Sequence, residues 1–203
     1  MTIETILSDD DNNRYTMFPV KHSDLWDMYK RSVASFWTVE EVDLAEDVKH
    51  YKNLTDDEKS FIEHVLAFFA ASDGIVMENL SSRFMNDVQI SEARAFYGFQ
   101  IAIENIHSEM YSVLIDSLVD DAVRKKQLFE SLQHIDCIKN KGAWAMRWIQ
   151  SNNSFAERLV AFACVEGIFF LRLVLRHLFV KKERAYAGPN FFQRVDISRR
   201  GPA

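Results

Sequence analysis

Between Pro19 and Pro189 the sequence contains no proline, and its 203 residues include only 6 glycines. Strands and hairpins need such residues at their turns, whereas long helices lose by having them. The interior is therefore expected to be all α.

Start signals divide that interior. Ser23 is placed to cap a helix through Trp26 to Phe36, and Thr38 with Glu41 has the spacing of a capping box for a short segment reaching Val48. Thr55-Asp56-Asp57-Glu58 opens a long helix whose apolar stripe reads Ile62, Leu66, Phe69, Asp73, Val76, Leu80, Phe84. Ser91 to Leu118 forms the next long helix. Asp121 to Gln150 follows, with Gly142 as its expected break and Trp144 and Trp148 on one face. Ser154 and Glu157 make a further capping box, for a helix with the stripe Phe155, Leu159, Phe162, Glu166, Phe169 or Phe170, Leu173. Residues 1–14, rich in Asp and Asn, read as a mobile tail.

The composition, 48% hydrophobic and 13% aromatic, is that of a globular domain. A net charge of -6 offers no attractive field to nucleic acid or to an anionic membrane surface. Every apolar run is interrupted by charge before it reaches the length of a membrane span. The polar N-terminus lacks the apolar core of a signal peptide. Cys137 and Cys164 read as small buried hydrophobes, not as a disulfide framework. Together these features point to a soluble, cytoplasmic protein.

Three of the apolar stripes carry an acid: Asp73, Glu104 and Glu166. An isolated buried carboxylate is costly, so it must find a cation or keep its proton. For any single position a lysine or arginine from a neighbouring helix is the commoner answer. The stripes themselves hold no basic residue, and a shared divalent cation would satisfy all three acids together. Glu104 and His107 lie one helical turn apart, as in the Glu-x-x-His pairs of helix-bundle di-iron proteins, and Tyr111 lies one turn further along the same face. Oxygen and imidazole donors suit iron or manganese. Tyr111 and Trp37 each also have a plain core reading. His22, His50, His64, His134 and His177 have no acidic partner at ligand spacing on an apolar face and read as structural or exposed.

Five segments in order, Arg14-Tyr15-Thr16-Met17-Phe18-Pro19-Val20, Ser35-Phe36-Trp37-Thr38, Phe68-Phe69-Ala70-Ala71-Ser72-Asp73-Gly74, Ile103 to Ser112 and Val165-Glu166-Gly167-Ile168-Phe169-Phe170, resemble the radical-generating small subunit of class I ribonucleotide reductase, most closely the eukaryotic type. The resemblance implies a ferritin-like helical bundle over residues 15–170 holding a pair of iron ions. It implies that Asp73 and His107 are terminal ligands of one iron, Glu104 a bridging carboxylate and Glu166 a ligand of the other. It implies that Tyr111 forms a stable radical, that Phe170 helps wall its pocket, and that Trp37 relays an electron to a large subunit where ribonucleoside diphosphates are reduced. Two small subunits would form a homodimer.

The family pattern continues with a helix carrying Arg-Asp-Glu-Gly-Leu-His, and this sequence does not. After Phe170 it reads Leu171-Arg172-Leu173-Val174-Leu175-Arg176-His177, placing arginines where a buried helix is expected. Back-translating Leu171 to Ala203 and shifting by one base regenerates a string ending in RDEGLH. Residues 171–203 are therefore expected to be an out-of-frame reading, with the bundle missing its last helices and the protein, as written, inactive. The alternatives are a non-catalytic partner of intact small subunits, or another ferritin-like di-iron oxygenase or desaturase.

Overall fold

The computed structural model describes Leu7 and residues 15–170, with Phe170 described by its backbone alone. The expected tail, apart from Leu7, and the segment 171–203 lie outside the described residues. Every regular element among the described residues is helical, as the lack of proline implies. The order is α1 (Ser23–Ala34), α2 (Ala45–Lys52), α3 (Asp56–Asn79), α4 (Met85–Asp87), α5 (Ser91–Leu118), α6 (Ala122–Phe129), α7 (Ser131–His134), α8 (Asp136–Ile149) and α9 (Phe155–Ala163). Turns of π-helix extend α3 at Leu80–Phe84 and α9 at Cys164–Phe170.

The centre of the bundle is α3 against α5, with α1 along α5 and with α6, α7 and α8 against α3. Thr55 caps α3 reciprocally: its hydroxyl accepts from the Glu58 N–H, and the Glu58 carboxylate accepts from the Thr55 N–H. The stripe read from the sequence is the buried one. Ile62, Leu66, Phe69, Asp73, Val76, Leu80 and Phe84 all face the interior, and Phe69 joins Trp37, Tyr51 and Tyr111 in the main core cluster. Burying each such large apolar side chain stabilises the fold by about 1.5–3 kcal/mol.

Several boundaries differ from the sequence reading. The N-cap of α1 is His22, so Ser23 is already helical and caps nothing. The Thr38–Glu41 box closes only a single 3-10 turn, Val39–Glu41, and α2 starts at Ala45. Asp121 to Gln150 breaks at Glu130 and Ile135, not at Gly142. The cause is tertiary: Ser131 is buried and its hydroxyl donates to the Ala67 carbonyl of α3 at 3.2 Å, which turns the backbone there. Gly142 lies buried within α8, where a Cβ would come 2.7 Å from Leu132 Cδ2, so the glycine permits close approach of α7. Leu159 is exposed, and α9 buries Arg158 and Ala161 instead. Arg158 is paired there with Asp87 at 2.6 Å, a tether that hydropathy reading misses. Cys137 is exposed and Cys164 half-buried, so neither is the buried hydrophobe expected. The stretch Asp56–Asp87 has the length and apolarity to cross a membrane, against the sequence reading, but it is the central core helix and carries Asp73.

Candidate metal centre

Asp73 sits on α3 where that helix faces Glu104 and His107 of α5. One ligand atom from each of these side chains falls within 4.8 Å of the other two. The pair on α5 is set by helix geometry, and His107 Nδ1 lies 3.0 Å from Glu104 Oε2. Asp73 is only 1% exposed. Its Oδ2 and the His107 Nε2 are buried and have no hydrogen-bond partner among the described residues.

Glu166 approaches from the π-helical turn after α9, and the amide of Gln100 donates to its Oε1 at 3.5 Å. Sequence reasoning misses Gln100, although it stands one turn before Glu104 on the same helical face and that spacing could have flagged it.

The carboxyls behave as a crowded, desolvated group. Burial first, and then the charges of Glu104 and Glu166, push the Asp73 carboxyl up to about 9. Burial and then Glu104 push Glu166 up to about 8. Among the described residues no lysine or arginine is ion-paired with any of the three acids. Among the described residues, then, the commoner reading of an arginine or lysine for each acid does not hold. Unpartnered buried ligand atoms, with Asp73 and Glu166 forced to keep their protons, fit a site built for a divalent cation, and oxygen with imidazole donors suits iron or manganese.

Tyr111 lies beside this group. Its ring stacks on Phe69 with centroids 5.1 Å apart, and the His107 ring centroid is 6.4 Å away. Burial raises its phenol well above the ordinary range, and the charges of Asp73, Glu104 and Glu166 add to this. Trp37 packs against His107 with ring centroids 5.9 Å apart. Its buried Nε1 has no partner among the described residues. The structure therefore brings Asp73, Glu104, His107, Tyr111 and Trp37 together, with Glu166 in electrostatic reach. The side chain of Phe170 lies outside the described residues. On the far side α8 holds the Glu166 turn: Trp144 packs edge-on against Phe169 at 5.4 Å, and Lys141 Nζ lies 4.3 Å from the Phe68 ring centroid and 5.6 Å from that of Phe169.

A helical bundle that gathers three carboxylates and a histidine, with Asp73 fully buried, beside a buried phenol defines a ferritin-like carboxylate protein. Within that class the protein belongs to the ribonucleotide reductase small chain family, whose model matches residues 14–178. It is 58% identical over 188 residues to one of the ribonucleoside-diphosphate reductase small chains of Arabidopsis thaliana, a match that covers 93% of this sequence and 55% of that protein. The small chain of Swinepox virus is 56% identical over 197 residues, covering 97% of this sequence and 71% of that one. Among solved structures, the ribonucleotide reductase Rnr4 homodimer of Saccharomyces cerevisiae matches with a TM-score of 0.76 at 38% identity, over 90% of this sequence and 58% of that chain. The protein thus spans little more than half the length of the plant relative.

Proposed function

We propose that this protein is the metal-binding, radical-forming part of a ribonucleoside-diphosphate reductase small subunit, a cytoplasmic protein that works as a homodimer with a large subunit. The observation that carries the reading is the convergence of Asp73, Glu104 and His107 within 4.8 Å, with the Tyr111 and Phe69 rings stacked alongside. Asp73 and His107 would hold one iron ion, Glu166 another, and Glu104 would be shared between them. Bound iron, with oxygen, supplies the oxidising power to take an electron from a phenol.

The protein's own groups do the rest. Asp73 and Glu166 give up their protons to admit the cations. Tyr111 is buried, so forming its phenolate is disfavoured and the phenol loses its proton only together with an electron. The stacked Phe69 keeps water from the ring. Trp37, packed against His107, would relay an electron between the site and the large subunit.

The test has two arms. In a protein continued in the frame that encodes Arg-Asp-Glu-Gly-Leu-His, ferrous iron and air are expected to give an iron pair and a tyrosyl radical by electron paramagnetic resonance. Tyr111→Phe should keep the iron and lose the radical, and an unchanged signal in that variant would overturn the role of Tyr111. The 203-residue protein, whose described residues offer Glu166 and Glu104 to the second iron, is expected to bind iron weakly and to form no radical. A full iron pair in that protein would refute the assignment of a shared, incomplete shell.

A further inference from the structure

A second phenol in the same core is built unlike its neighbours. Tyr51, at the end of α2, is 7% exposed and packs in the cluster that contains Trp37 and Tyr111. Its hydroxyl donates to Glu63 Oε1 of α3 at 2.8 Å. The other oxygen of that carboxylate accepts from Arg124 Nε of α6 at 2.8 Å, so the acceptor is held on both sides. Lys59 Nζ stands 5.9 Å from the Tyr51 ring centroid.

We propose that Tyr51 with Glu63 is a second redox-active tyrosine site, which takes up an oxidising equivalent as a neutral phenoxyl radical by passing its proton to the hydrogen-bonded carboxylate. The donor is the Tyr51 phenol and the oxidant is any one-electron acceptor, such as an aryl radical cation or a ruthenium(III) polypyridyl. The O–H bond breaks, the proton moves to Glu63 Oε1, and the electron reduces the oxidant by one unit.

The surroundings select this route. Lys59 faces the ring, so a phenol cation that kept its proton would meet like charge. Proton loss without electron loss is also disfavoured, because burial, and after it the Glu63 hydrogen bond and charge with a small addition from Asp120, raise the Tyr51 phenol despite the opposing charge of Arg124. Electron and proton must leave together, and a carboxylate at 2.8 Å is the group that permits it. Tyr97 offers the contrast, since burial alone raises its phenol.

The site is independent of iron, so it is tested on the metal-free 203-residue protein, separately from the reading of the metal centre. In a Tyr111→Phe background, flash-generated tris(bipyridine)ruthenium(III) is expected to leave a persistent tyrosyl radical by freeze-quench electron paramagnetic resonance. Adding Tyr51→Phe should abolish that radical, while Tyr97→Phe should leave it. Glu63→Gln keeps the shape but accepts no proton, and should slow radical formation by about a hundredfold, the lower end of what a positioned base contributes. Incorporating 3-fluorotyrosine at position 51 leaves the hydroxyl in place and marks the radical by fluorine splitting. A persistent radical without that splitting, or an unchanged rate in Glu63→Gln, overturns the proposal.

Discussion

At the scale of single residues, Asp73 is the group on which the stability of the metal-free protein turns. In the folded state its carboxyl keeps the proton up to about 9, whereas in the unfolded state it is lost near 3.8. Between those values folding takes up a proton, so this contribution to stability is whole below the lower value and is lost as pH rises through the window. Glu166 acts in the same direction between 4.5 and about 8. The thermal midpoint of the metal-free protein is therefore expected to fall from about pH 5 to about pH 8. Asp73→Asn should flatten most of that slope, and manganese should raise the midpoint most at the alkaline end, where the ligands part with their protons readily. A midpoint that rose with pH in the metal-free protein would contradict the buried, protonated Asp73. Asp73, Glu104 and His107 are legible in the sequence because a charge on an apolar stripe stands out against period 3.6. The Tyr51–Glu63–Arg124 link is not, because its members lie on three different helices and only tertiary packing brings them together.

At the scale of elements, the capping boxes at Thr55 and Ser154 can be read directly, since both lie within four consecutive residues. The π-helical turns cannot. A π-turn leaves local hydropathy unchanged but shifts the phase of the helix, so a stripe drawn with one period through Glu166 puts Leu159 in the core, whereas it faces solvent. The Ser154 cap matters beyond its own helix because α9 leads straight into the turn that carries Glu166. Its hydroxyl accepts from the Glu157 N–H, while the Glu157 carboxylate accepts from the Ser154 N–H at 3.1 Å. Ser154→Ala is expected to cost about 1 kcal/mol by chemical denaturation. It should also weaken cation binding at Glu166 more than a remote mutation of equal cost would.

At the scale of the whole molecule, the helical class follows from the missing prolines, and the family from five ordered segments. What composition does not convey is that α8 and α9 leave an open apolar groove of about 360 Å³ between Trp144, Trp148, Val160 and Cys164. Val160 on its wall is 64% exposed. The out-of-frame reading of residues 171–203 belongs to this scale, and it rests on codon logic and on Arg172 and Arg176 at expected core positions. Sequencing the transcript across the Phe170 codon is expected to reveal the RDEGLH frame displaced by one base. A continuous read through Ala203 with no such frame beside it would refute that reading.

Half of the candidate metal centre is local to α5 in a way the other half is not. Glu104, His107 and Tyr111 span barely two turns of a single helix, so their mutual spacing is set by backbone hydrogen bonds, whereas Asp73 and Glu166 depend on how separate helices dock. The Glu104 carboxylate, His107 imidazole and Tyr111 phenol thus form a portable cassette. Grafted at matching register into another stable bundle, the stretch would carry its internal geometry with it, and the new host would need to contribute the ligands that come from other helices.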